Sequence, residues 1–265
     1  MSEAGMNVVG ELVMLLVLIV LVMIVPFVLT FFVALWEKRQ VWPYEPLEEA
    51  PAVSAISDQH PGMANPYAVS SITDGLLLQP TEKAAKANAA AQSLNFKYLG
   101  AYRHGGGALY QVRYDAWVSA EHEVLALVGG GKLASVPVDS IWLFTQLASG
   151  VVLVTITAHN AAEYDLSGMT SEALVPQASF AQAVVSHLGR MKEQASPGLN
   201  YSDNPLVDHY QFRLAWSNRL QQKGLIRFTD ATQTVWRFTL RGALLFAIKA
   251  HIVGTTRKLL PRRSK

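Results

Sequence analysis

Tyr110-Gln111-Val112-Arg113-Tyr114-Asp115-Ala116-Trp117-Val118 is the stretch from which the fold is read. Tyr110, Val112, Tyr114, Ala116 and Val118 alternate with the polar Gln111, Arg113 and Asp115. A period of two predicts a strand with one face buried and the other wet. Phe96, Tyr98 and Tyr102 mark an earlier strand, with Gly105-Gly106-Gly107 as the hairpin loop between them. Downstream, Gly129-Gly130-Gly131 is expected to turn the chain between strands at Val124–Val128 and Leu133–Val136. Further strands are expected at Ser140–Leu147 and Val151–Ala158, turning at Ser149-Gly150. The fold class this predicts is α+β, with an antiparallel meander of five or six strands.

Helices frame the sheet. Thr81 can cap a short Ala- and Lys-rich helix over residues 81–93. Ser179 and Gln182 form a capping-box pattern, followed by Phe180, Val184, Leu188 and Met191 at helical spacing. Residues 81–195 are therefore read as one domain, a sheet covered by a helix. Pro197-Gly198 and Asn204-Pro205 then break the chain. Beyond them a helix is expected at Leu206–Lys223, short strands at Leu225–Thr229 and Val235–Leu240, and a last helix at Arg241–Leu260.

The N-terminal residues are of another kind. Leu12 to Trp36 is a run of 25 residues without a charge, 19 of them Leu, Ile, Val or Phe. That length predicts a single transmembrane helix within residues 1–40. Its anchor residues would include Leu12, Leu21, Pro26, Phe32 and Trp36, with Trp42 at the interface and Lys38 and Arg39 as the positive flank. With no Lys or Arg before the run, the positive-inside rule places the N-terminus outside, the rest in the cytoplasm, and the protein in an inner membrane as a single-pass chain. Residues 41–80 hold Pro43, Pro46, Pro51, Pro61, Pro66 and Pro80 without lasting periodicity and are expected to be a linker.

Charge is divided unevenly. Through Asp203 there are 10 Lys+Arg against 18 Asp+Glu; from Asn204 onward there are 12 against 2, Asp208 and Asp230. The near-neutral total of +2 thus conceals a basic C-terminal region, residues 204–265. Such a region seeks anionic lipid, nucleic acid or an acidic protein face. The candidate contacts are Arg213, Arg219, Lys223, Arg227, Arg237, Arg241, Lys249, Arg257, Lys258, Arg262 and Arg263. The last helix, basic and amphipathic, is expected to dock on a membrane surface or to pack on its own domain.

Tests for chemistry come back empty. With no cysteine, disulfides, iron–sulfur clusters and thiol nucleophiles are excluded. Gly129-Gly130-Gly131-Lys132 lacks the first glycine of a phosphate loop, where Ala126 stands, and Leu133 follows the lysine where Ser or Thr is needed. No histidine pair has metal-ligand spacing, and no cofactor or metal site is expected. Asp165-Leu166-Ser167-Gly168, with His159 nearby, is the closest approach to a functional loop. It would matter if the chain were an enzyme with a dispersed site.

Arg219-Leu220-Gln221-Gln222-Lys223-Gly224-Leu225-Ile226, a polar turn, then Trp236-Arg237-Phe238-Thr239-Leu240-Arg241-Gly242-Ala243 resembles the latter half of a winged-helix domain. The matching features are the Lys-Gly-Leu-Ile step, the β-wing after it and Thr239-x-x-Gly242 opening the next helix. The resemblance covers about 40 residues, and Pro197 to Pro205 interrupts where the preceding helix-turn-helix would stand. It implies DNA binding, with Arg213, Arg219, Lys223, Arg227 and Arg237 as phosphate contacts. The reading preferred on the sequence is a non-enzymatic, membrane-anchored scaffold or assembly subunit that docks a protein partner in a membrane complex. A membrane-tethered DNA-binding regulator is the first alternative.

Overall fold

The computed structural model describes residues 13–15, 24–41, 44–46, 80–104, 110–133, 136–158 and 165–259. A helix over residues 24–36 (α1) leads into β1, Arg39–Gln40, and β2, Tyr44–Pro46. Then follow α2 (Glu82–Ser93), β3 (Lys97–His104), β4 (Tyr110–Val118), β5 (Leu125–Leu133), β6 (Val136–Gln146), β7 (Val152–Ile156) and β8 (Thr170–Leu174). The chain continues through α3 (Phe180–Lys192), α4 (Pro205–Gln222), β9 (Ile226–Phe228), β10 (Val235–Phe238) and α5 (Leu240–Leu259).

The larger sheet has seven strands in the order β2-β3-β4-β5-β6-β7-β8. Pairing is antiparallel from β2 to β7, but β8 lies parallel to β7, so the sheet is not the pure meander the alternation predicts. Tyr44–Pro46, within the expected linker, supplies the β2 edge. One face of the sheet packs on α2 and α3 through Ala84, Ala87, Trp117, Ala126, Leu143, Phe180 and Ala183. The other packs on α4 through Leu125, Leu127, Phe144, Val154, Tyr210 and Leu220. Burial on both faces explains why β7, Val152-Leu153-Val154-Thr155-Ile156, has no wet side. Two caps seen in the sequence form. Thr81 accepts from the Ala84 N–H, and Ser179 and Gln182 close a complete capping box on α3.

The second glycine triplet is not a turn. Gly129, Gly130 and Gly131 lie inside β5, paired with Tyr114, Arg113 and Val112 on one side and Ser140, Asp139 and Val138 on the other. What needs glycine there is space. A Cβ on Gly130 would stand 2.6 Å from the Ala84 Cβ, and one on Gly129 2.6 Å from the Tyr114 ring. The strand expected at Leu133–Val136 instead falls where β5 ends at Leu133 and β6 begins at Val136, and Ser140–Gln146 of the next expected strand belongs to β6.

A second sheet of three strands has the order β1-β10-β9, all antiparallel. The segment with the winged-helix resemblance forms its helix, hairpin and following helix, and residues from the N-terminal region add the third strand. α1 lies against α5 in the opposite direction, with Phe27 edge-to-face on His251 at 6.2 Å and Arg39 over the Phe246 ring. Thr239 starts α5. Its N–H donates to the Leu225 carbonyl at 2.9 Å, and its hydroxyl accepts from the Gly242 N–H.

The expected membrane anchor is corrected by this arrangement. Among the described residues no helix is long and apolar enough to cross a membrane. α1 is described over residues 24–36, where it lies against α5. One of its faces, with Ala34 fully buried, belongs to the protein's own core. The single-pass, inner-membrane localisation that rested on the span loses its support with it. Of the expected anchor residues, Pro26, Phe32, Trp36 and Lys38 are exposed and Arg39 is half-buried, while Leu12, Leu21 and Trp42 lie outside the described residues.

Candidate interaction surfaces

α1 is apolar all round, a composition found on helices that are covered on every side. Here only Phe27, Phe31, Ala34 and Leu35 turn inward. Ile24, Val25, Val28, Leu29, Phe32, Val33 and Trp36 face out, from 39% exposed at Val28 to 70% at Trp36. They recur every three to four residues, which makes one continuous stripe. Together they present roughly 700 Å² of apolar surface, above the about 300–600 Å² of a typical monomer's largest patch. Leu240, Leu244, Leu245 and Ile248 on α5 are exposed as well.

The basic residues divide into two groups. Arg39 is turned inward: it bonds Glu37 at 2.7 Å and lies 5.0–5.7 Å from the ring centres of Trp236, Phe238 and Phe246. Arg213 donates to the Val41 carbonyl at 2.9 Å and covers Trp216. Lys223 donates to the Ser167 carbonyl at 2.6 Å, and Lys249 to that of Asp165. These bonds tie separate parts of the chain together, a bracing role for Arg213, Lys223 and Lys249 that the charge count does not show. Arg219, Arg227 and Arg241 are exposed, and Arg237 is half-buried. The side chains of Arg257 and Lys258, and the whole of Arg262 and Arg263, lie outside the described residues.

The Asp165 loop is a brace of the same kind. Asp165 Oδ1 accepts from the Ser167 N–H at 2.7 Å, the Ser167 hydroxyl at 2.5 Å and the Trp216 indole at 2.8 Å. Oδ2 accepts from the N–H groups of Gly168 at 2.9 Å and Thr170 at 3.0 Å. Burial works against ionisation, but the bonds from Ser167, Thr170 and Trp216 outweigh it and hold the carboxyl below the usual range. With both oxygens occupied, it has no lone pair turned to a substrate. His159, the third residue of the dispersed-site reading, lies outside the described residues.

His187, on the inner face of α3, is fully buried, with Thr145 Oγ1 at 3.0 Å from Nε2 and Thr155 Oγ1 at 2.8 Å from Nδ1. Burial, and then the nearby Arg190 guanidinium, pull its pKa down to about 3. Arg190 reaches past it to the carbonyls of Val154 and Ser171, tying α3 to β7 and β8. His209 on α4 packs on Phe144 at 4.6 Å and is likewise pulled to about 3, by burial and then by Arg213. The cavity beside it, lined by Trp142, Phe144, Glu172, Phe212 and Trp216, holds about 20 Å³. That is room for about one water, far below the roughly 300 Å³ of a small-molecule site. Among the described residues no group of three or more His, Asp or Glu is placed to hold a metal ion.

No family model, no curated protein and no solved structure matches this chain. The surfaces must speak for themselves. The sequence reading took the Leu12–Trp36 run as a uniform span and so missed that one face would be packed and the other left open. It also missed a repeated signal: Ile226-Arg227-Phe228 and Trp236-Arg237-Phe238 each set one arginine between two apolar residues of a strand. Period-two alternation puts those arginines on the face opposite the core.

Proposed function

We propose that this chain is a non-enzymatic assembly subunit that docks a protein partner through the outward apolar face of α1. The observation behind the reading is the stripe from Ile24 to Trp36, which the protein's own core leaves uncovered. The stripe carries no charge, so the fitting partner presents an apolar helix or groove and reads shape rather than charge. α1 is held on its other face by α5 and continued into β1, so the surface is formed before the partner arrives, which lowers the cost of ordering on binding. Trp36 and Phe32 are the anchors expected to dominate, since large aromatic side chains carry most of such interfaces.

The test is a paired affinity purification from the source cells, with the full chain as wild type and as a Leu29→Glu/Phe32→Glu variant. A stoichiometric partner that co-purifies with the wild type and is lost from a folded variant supports the reading. A partner retained by the variant, or a lone monomer in both preparations, sinks it.

A further inference from the structure

A row of like charges crosses the outer face of the small sheet. Arg237 on β10 pairs directly with Arg227 on β9. On the other side, β1 pairs Arg39 with Trp236 and Gln40 with Val235, so one step further along the same register Lys38 stands level with Arg237. Trp236, Phe238 and Ile226 are buried, so the three cations lie on the opposite, outward face. Neighbouring strands are about 4.8 Å apart, so Lys38, Arg237 and Arg227 fit within about 10 Å.

Like charges directly opposite each other weaken a sheet, and among the described residues no ion pair offsets these. Asp230, in the β9–β10 turn, spends its carboxylate on the Thr232 and Thr234 hydroxyls and the N–H groups of Thr234 and Val235. Glu37 is taken by Arg39. Arg237 Nε is itself shielded from water with no hydrogen-bond partner among the described residues. A buried guanidinium N–H without an acceptor is a group waiting for one. Arg241, exposed in the first turn of α5 four residues past Arg237, adds a further cation where the helix dipole already favours an anion.

We propose that Lys38, Arg227 and Arg237 form a binding site for a phosphate monoester, free or carried on a lipid headgroup. Three cations converging within side-chain reach of one point suit a compact, multiply charged anion. Two of them are arginines, whose planar fork meets phosphate oxygens in pairs. An extended polyanion would ask for a longer track, and Arg213 and Lys249 are half-buried and donate to the carbonyls of Val41 and Asp165.

The experiment titrates the full chain with glycerol 3-phosphate by calorimetry and, in a second arm, floats it on phosphatidylcholine vesicles with and without phosphatidic acid. Saturable binding in either arm, about tenfold weaker in Arg227→Gln/Arg237→Gln and unchanged in Arg219→Gln, is expected. The first arm responding identifies a soluble ligand, and the second alone a headgroup. Without ligand the double variant should melt at a higher temperature than the wild type, since it relieves the repulsion. If that variant does not fold, Lys38→Gln at the open end of the row takes its place, with binding weakened about threefold. No binding in either arm, binding indifferent to these substitutions, or binding of duplex DNA alone would overturn the proposal.

Discussion

Gly242→Ala should damage this protein, although glycine-to-alanine in a helix ordinarily helps it. In an open helix the change stabilises by about 1 kcal/mol. Gly242 sits in the first turn of α5, pressed against the strand entering β9. A Cβ built there would lie 1.8 Å from the Leu225 carbonyl oxygen, 2.8 Å from its carbon and 2.9 Å from the Phe238 ring. The obstruction is backbone and cannot rotate away. That same carbonyl accepts the Thr239 N–H at 2.9 Å, the bond that sets the start of α5. Relieving the clash moves α5 off β9, at a cost of about 1–3 kcal/mol for overpacking and about 1 kcal/mol for the strained bond. Against the propensity gain, the net loss is about 1–3 kcal/mol, a fall in Tm of roughly 2–12 °C. Urea denaturation followed by tryptophan fluorescence measures it. Gly189→Ala is the control, because that glycine is exposed on α3 with nothing within 4 Å of a new Cβ, and it should gain up to about 1 kcal/mol. If Gly242→Ala were as stable as Gly189→Ala, the close packing of α5 on Leu225 would be wrong.

Three further outcomes follow from the same geometry. Asp165→Asn turns an amide N–H₂ toward a ring of donors and should cost about 3 kcal/mol in urea denaturation, with the Gly168 and Thr170 N–H groups losing their acceptor. Acid should destabilise the protein before its carboxylates titrate. His187 and His209 have folded pKa values near 3, well below the ordinary 6.5, so the unfolded chain takes up protons that the native one refuses. Their contribution is complete above pH about 6.5 and is lost as pH falls toward 3, at about 1.4 kcal/mol per pH unit for each histidine. A His187→Gln variant should show a shallower slope between pH 6 and 4, and an unchanged slope would refute the assignment. Gly130→Ala should cost about 1–3 kcal/mol by pushing α2 off β5, where Ala84 stands 2.6 Å from the new methyl, and a neutral result would restore the turn reading.

Local rules read from sequence held where the sequence alone settles the matter. The alternation at Tyr110–Val118 became β4, Ser179 and Gln182 became a capping box, and Asn204-Pro205 opened α4. The failures share one cause, a tertiary contact invisible to a local window. Gly129-Gly130-Gly131 carries a turn's composition, but α2 and Tyr114 crowd it from outside the strand. Residues 24–36 carry a span's composition, but α5 and β10 claim one side. That Arg213, Lys223 and Lys249 also donate to the carbonyls of Val41, Ser167 and Asp165 is likewise invisible to a local window. The pairing of Arg227 with Arg237 needed only the hairpin register, which the two matching apolar–Arg–apolar triplets already suggest.

The central claim is that the outward face of α1 is a protein-docking surface. Its most direct test is a photo-crosslinking residue placed at Phe32 in the full chain and irradiated in the source cells, with the same residue at exposed Gln222 as the reference. The account predicts one dominant crosslinked protein from position 32 that is missing from position 222, and the same protein lost on Trp36→Glu. Crosslinks to lipid alone, to a second copy of the chain alone, or the same faint background from both positions would contradict it.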